Sequence, residues 1–119
     1  MTAPAAAYGK ALDLITRVRS VRGAMLVSAA DGLVVADQLM EGIKGTAVAA
    51  LAGSLAMRLG RAMSAAGVGD GVFWHLQCAA GALLVVPAAA GILVVAVAEA
   101  DVNVGLVRLE LLRASEALG

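Results

Sequence analysis

Apolar and polar positions change their spacing several times along the chain, and each change marks an element. Between Ala5 and Val21, Tyr8, Ala11, Leu12, Ile15 and Val18 recur at helical spacing with Lys10, Asp13 and Arg17 opposite, which predicts an amphipathic surface helix. Gly23 then releases the chain into two short β-prone runs, Met25-Leu26-Val27 and Leu33-Val34-Val35, on either side of Ala30-Asp31-Gly32. Asp-Gly supplies the positive φ angles of a tight reversal, so this stretch reads as a hairpin. After Asp37, a loop over 38–42 leads into a long alanine-rich helix that stops at Gly67, where Gly67-Val68-Gly69-Asp70-Gly71 makes a flexible end. Strands are predicted from Val72 to Ala79, Ala82 to Val86 and Ile92 to Ala98. Asp101 is placed to cap a final helix with Val102, Leu106, Leu109 and Leu112 on one side. The predicted order is helix, two strands, helix, three strands, helix.

The long helix is apolar nearly all round. A helix of that kind needs its own sheet on one side and a second cover on the other. At about 100° per residue, Val48, Leu51, Leu55, Leu59 and Ala62 fall on one side, and this face is expected to pack on the sheet. Thr46, Ala49, Ala50, Gly53, Met57, Gly60 and Ser64 fall on the other. That second face, small residues around one methionine, lets another helix approach closely, with Arg58 and Arg61 along one flank. Alanine is also the strongest helix former, so a high alanine content by itself produces a bland helix.

From Gly71 to Ala98 there is no Asp, Glu, Lys or Arg, and the stretch exceeds the roughly 20 residues that cross a bilayer. The polar pair His75 and Gln77, the break Pro87-Ala88-Ala89-Ala90-Gly91 and the β-branched runs around it divide the stretch into strand-length pieces. A meander of three strands is therefore expected, with no transmembrane segment. Five strands that are mostly hairpin-connected imply one antiparallel sheet, and three helices can cover both its faces.

Composition narrows the class further. A chain of 119 residues is one domain, 1–119, long enough to bury about two thirds of its unfolded surface. Much of the 61% hydrophobic content is alanine, which does not demand a membrane. Nine basic residues balance nine acidic ones, so no overall field steers the protein to nucleic acid or an anionic bilayer. The single cysteine, Cys78, excludes an internal disulfide framework and points to a reducing compartment. The N-terminal residues lack a basic region followed by an apolar run, so no secretory signal is expected and the cytoplasm is the expected location.

No catalytic residue, cofactor site or metal site is expected. Lys44-Gly45-Thr46 has its lysine before the glycine, whereas a phosphate loop leads Gly-Lys-Ser/Thr into a helix so that lysine and backbone amides meet the phosphates together. The glycines from Gly67 to Gly71 follow a helix and precede a strand, the reverse of a dinucleotide-binding turn. His75 is the only histidine, which leaves no zinc ligand set and no nucleophile triad within one chain. It is expected as a partly buried edge or dimer-interface residue, and Cys78 as a small core hydrophobe.

The order of elements, the hairpin Ser28-Ala29-Ala30-Asp31-Gly32-Leu33-Val34-Val35-Ala36 and the long small-residue helix resemble the roadblock / dynein light chain family over nearly the whole chain. The resemblance implies an α+β fold with sheet order 2-1-5-4-3, one long helix on one face and two terminal helices on the other. It also implies that two copies join through the third strand and the middle helix. Val72 to Ala79 would then be the dimer edge, with Trp74, His75 and Leu76 in the interface, and Ala49, Ala50, Gly53, Met57 and Gly60 would contact the partner copy. Bacterial single-domain members are similar to the regulators of small Ras-like GTPases used in cell polarity and gliding, and some accompany a sensor kinase and a GTPase.

On that reading the chain is a homodimeric, non-catalytic docking platform for a Ras-like GTPase, with Arg58 and Arg61 as partner contacts. Such a platform acts by favouring one conformation of the partner's switch loops. No docking extension beyond the domain is expected, which gives a dynein-adaptor role little support. The alternative is a structural dimerisation or small-molecule sensing domain, disfavoured because the predicted interior offers few polar groups to orient a ligand.

Overall fold

The computed structural model describes residues 4–119. Its elements are α1 (Pro4–Thr16), β1 (Val21–Ser28), β2 (Val34–Leu39), α2 (Gly45–Ala66), β3 (Trp74–Gln77), β4 (Ala82–Pro87), β5 (Ile92–Ala98) and α3 (Val104–Ala117), with a 3-10 turn at Ala89–Gly91 between β4 and β5. The strands form one antiparallel sheet in the order β2-β1-β5-β4-β3. Both the element order and the sheet order are those expected. No helix among the described residues is long and apolar enough to cross a membrane.

Side chains alternate across a strand, so each central strand feeds two cores. Ala24 and Leu26 of β1, Leu84 and Val86 of β4, and Val94 and Ala96 of β5 face α1 and α3, where they meet Ile15, Val107 and Leu111. Met25 and Val27, Leu83 and Val85, and Leu93 and Val95 face the other way, toward Ala49 and Ala52 of α2. β1, β4 and β5 are consequently apolar almost without interruption, because helices cover the sheet on both faces.

Several boundaries differ from expectation for identifiable reasons. The first helix ends at Thr16 rather than Val21, because Val21 pairs with Ala98 and belongs to the sheet. β2 continues through Gln38 to Leu39, where a loop was expected. Gln38 donates through Nε2 to Asp13 Oδ1 at 3.0 Å and accepts from the Thr16 hydroxyl at 3.2 Å, so a polar residue at the sheet edge is satisfied by α1. β3 keeps only the four residues Trp74–Gln77 of the expected eight. Cys78, expected in the core, is exposed beyond its end, where its N–H donates to Gly81 O at 2.8 Å.

The hairpin reverses through a wider loop than two residues. Ser28 O accepts from Gly32 N at 2.8 Å, Ser28 N donates to Leu33 O at 2.9 Å, and Asp31 Oδ1 accepts from Leu33 N at 3.1 Å. Gly32 alone takes a left-handed conformation there, with φ of 69°, while Asp31 serves as the side-chain acceptor that closes the loop. A bulge follows, since Leu26 faces Ala36 and Val27 faces Val34, leaving Val35 without an opposite residue.

The final helix is capped by Asn103, whose Oδ1 accepts from Leu106 N at 3.1 Å, and not by Asp101. Starting there, the helix buries Val107, Glu110, Leu111 and Ala114, and Leu106 and Leu109 are exposed. Two apolar stripes run along this helix at the same period, and periodicity cannot say which one meets the core. Glu110 keeps a partner despite its burial, an ion pair to Arg113 Nη1 at 2.9 Å.

The face of α2 that meets the sheet is also corrected. The buried residues are Ala49, Ala52 and Gly53, while Leu51 is 45% exposed and Leu59 is exposed as well. An ideal Cβ on Gly53 would stand 2.9 Å from Gly32 Cα, so the helix rests directly on the tip of the hairpin. Small residues permit that approach; Val48 and Leu55 of the expected face do pack against the sheet, while Leu51 and Leu59 are turned outward.

Two glycines that meet across one contact are accordingly sensitive. Gly53→Leu is expected to lower the unfolding free energy by about 1 to 3 kcal/mol by overpacking against the turn, and urea unfolding of an isolated monomeric form would show no loss if the helix stood clear of it. Gly32→Val combines a β-branched side chain with positive φ and should cost more than about 1 kcal/mol. At the other end, Asn103→Ala should cost about 1 kcal/mol and Asp101→Ala less than about 0.5 kcal/mol, a difference that thermal unfolding of the pair reads directly.

Candidate functional site

α2 changes character halfway along. Up to Ala56 it alternates buried and exposed residues over β1, β2 and β5, but from Met57 onward no residue is buried, and only Gly60 and Met63 are partly covered. This half holds Met57, Leu59, Ala62, Met63, Ala65 and Ala66, with Arg58, Arg61 and Ser64 as its only polar side chains. Met57 is 50% exposed. An apolar helix segment open on nearly every side lacks a cover that its own chain does not provide. The helix ends on Gly67 at φ 72°, with Gly67 N donating to Ser64 O and Val68 N to Met63 O, which satisfies carbonyls that would otherwise be left open.

The open helix is joined to the sheet edge. Gly71 is pressed between the Trp74 ring and the Met63 methyl, which draws the chain from the end of α2 into β3. Trp74 packs into the core beneath α2, and Leu76 on the same side of β3 is 36% exposed. β3 pairs with β4 through Trp74 opposite Val85 and Gln77 opposite Ala82, and among the described residues its outer edge has no strand beside it. Val68 and Val72, both exposed, extend the apolar surface between helix and strand. On the opposite side of β3, His75 Nε2 lies 2.9 Å from Gln77 Oε1, and Gln77 Nε2 donates to Ala100 O at 2.8 Å. The Arg108 guanidinium sits 5.4 Å from the Phe73 ring centre and fastens α3 to the start of the strand.

The expected site residues separate into two groups. Ala50, Met57, His75 and Leu76 are exposed, Gly60 and Trp74 are half-buried, and Arg58 and Arg61 are exposed on the open half of α2. Ala49 and Gly53 lie instead against their own sheet and turn, so their packing partner is intramolecular. Leu51, Leu59 and Val68 belong to the open surface and were not anticipated there, while Val72 opens the stretch expected as the dimer edge. The apolar residues all round the helix beyond Met57, interrupted only by Arg58, Arg61 and Ser64, were the available signal for Leu59, whereas Leu51 depended on the rotation imposed by Gly53.

The surface offers area and shape and little chemistry. A shallow depression of about 210 Å³ between the hairpin tip and α2 is lined by small residues, with Asp31 and Ser54 as its polar side chains. Among the described residues there is no group of His, Cys, Asp or Glu that could hold a metal ion. The side-chain hydrogen-bond partner of His75 is Gln77.

The domain has three layers, and among the described residues its long helix and edge strand share one apolar surface that nothing covers. The sequence profile of the Roadblock/LC7 domain matches residues 8–98, and the chain belongs to that family. An uncharacterized protein of Methanocaldococcus jannaschii is 33% identical over 104 residues, covering 87% of this chain and 90% of that one. Among solved structures, the gliding protein MglB of Thermus thermophilus superposes with a TM-score of 0.84 at 24% identity, covering 99% of this chain and 90% of the other. MglB of Myxococcus xanthus superposes with a TM-score of 0.82 at 18% identity, covering 95% and 91%. At these identities the superpositions establish the shared fold.

Proposed function

We propose that the protein is a homodimeric, non-catalytic regulator or adaptor of a small Ras-like GTPase in cytoplasmic bacterial signalling or polarity. The observation that carries this reading is the open half of α2 running into the free edge of β3, an apolar surface with two arginines on it and no catalytic constellation. A second copy pairing about a two-fold axis covers β3 and the adjoining helix on both protomers at once.

Membership of a family of regulatory and adaptor domains supports the GTPase side of the reading. The likeness to two MglB proteins, one of them a gliding protein, supports a place in polarity or gliding. A dimer presents two α2 helices side by side, and a platform of this kind shifts its partner by binding one switch conformation more tightly than another. Arg58 and Arg61 are the charged groups on that surface, and arginine is enriched among residues that dominate binding energy. The structural or ligand-sensing alternative finds less support, because the depressions are shallow and open and drug-sized ligands are enclosed to about 70% or more.

Sedimentation of the wild type at micromolar concentration should give a dimer burying about 1,200 Å² or more. Leu76→Asp and Met57→Asp should each shift it to monomer, and a wild type that sediments as a monomer removes the reading. For the partner, the protein alone should neither bind nor hydrolyse GTP. With a Ras-like GTPase encoded beside it, Arg58→Ala and Arg61→Ala should lose binding in proportion to any effect on turnover. Intact binding with about a thousandfold loss of stimulated turnover would instead mark an arginine finger. No binding in either nucleotide state would leave the structural alternative.

A further inference from the structure

We propose that the depression between the hairpin tip and α2 is the anchor point for the GTPase partner, and that it takes one cationic side chain, an arginine or a lysine, onto the Asp31 carboxylate. The inference rests on the proposed function and deepens it, because it states what the partner presents and where. At about 210 Å³ the depression is smaller than the sites of drug-sized ligands, which run from about 300 Å³ upward, and it leaves room for a single side chain. Gly32 and Gly53, which touch one another, both line it together with Ala50, so its shape is set by backbone rather than by mobile side chains. Met57 lines it as well and is 50% exposed. Its thioether gives the aliphatic stem of a long cationic side chain a surface to lie on, and it joins the depression to the open half of α2.

Charge selects the occupant. α2 carries no acidic residue, and its only charged side chains are Arg58 and Arg61. Asp31 is the one charged residue that lines the depression, and it forms no ion pair among the described residues. The turn holds its carboxylate in place, since Oδ1 accepts from Leu33 N at 3.1 Å while Gly32 N donates to Ser28 O at 2.8 Å. Oδ2 remains to accept from a partner. An anionic side chain is repelled there, and a neutral one gains roughly half of what a charge-assisted hydrogen bond supplies. The Ser54 hydroxyl, also on the lining, can accept a second N–H of the same cation. At 1.5 Å per residue, Arg58 and Arg61 lie about 6 and about 10 Å further along the helix than Ser54. The partner therefore presents a cation at the hairpin tip and carboxylates one to two helical turns away, and these opposite ends fix its direction on the platform. The tip joins β1 to β2, at the far side of the sheet from β3, so strand pairing along β3 does not fill the depression.

The test is binding of the Ras-like GTPase encoded beside the protein, in both nucleotide states, to the full chain and its variants. Asp31→Asn removes the charge but keeps the acceptor for Leu33 N, so the melting profile should be unchanged while binding weakens about tenfold. Ala50→Leu keeps the charge and fills the depression, and it should weaken binding by at least as much, which long-range attraction alone would not produce. Asp31→Arg should abolish binding. Among GTPase variants with single surface arginines or lysines replaced by glutamate, one that fails with wild type should recover with Asp31→Arg, an outcome that loss of folding cannot mimic. Binding by Asp31→Asn within twofold of wild type, or no recovering GTPase variant, overturns the cation assignment. The two readings separate by their variants. If Arg58→Ala and Arg61→Ala weaken binding while Asp31→Asn and Ala50→Leu do not, the anchor proposal fails and the platform stands; if wild type binds in neither nucleotide state, the platform reading fails and the anchor falls with it.

Discussion

The contact between Gly53 and Gly32 sets the rotation of α2, and the rest of the functional surface depends on that rotation. A helix can turn about its axis until its smallest residues meet whatever lies closest, and here the closest object is the backbone of the hairpin tip. With Ala49, Ala52 and Gly53 inward, Leu51 and Leu59 have no place in the core. The apolar surface is thus a consequence of close packing elsewhere. It requires no sacrifice of the interior, which holds two continuous cores with no buried side-chain polar atom lacking a partner among the described residues.

The sheet distributes the remaining roles. β1 and β5 are central and buried on both faces, so they hold the layers together and leave little for recognition. The two edges are treated differently. β2 is bulged at Val35 and fastened to α1 through Gln38, features that discourage pairing with another strand. β3 is short, unbulged and continuous with an open helix, and it carries no Asp, Glu, Lys or Arg. An edge of that kind invites a partner, whereas the β2 edge turns one away.

The layer of α1 and α3 has a different logic. Its inward stripe, Ile15 with Val107, Leu111 and Ala114, belongs to the core, while the second leucine pair, Leu106 and Leu109, faces out beside separated charges of both signs.

From the sequence by itself came the order of elements, the antiparallel sheet, the Gly67 helix stop and the surplus of apolar surface on the long helix. These follow from periodicity, turn residues and glycine conformations, which act over a few neighbours and can be read in one dimension. The strand order came through family resemblance, since local pattern does not choose among sheets. Tertiary structure alone decided which face of α2 and of α3 points inward. Both helices offer two apolar stripes at the same period; for α2 the close approach of Gly53 to the hairpin tip at Gly32, too short for a Cβ, breaks the tie, and for α3 the packing of Val107 and Leu111 on the sheet does. It likewise placed Cys78 outside and moved the α3 cap to Asn103, because strand length and helix start are set by the pairing of distant segments.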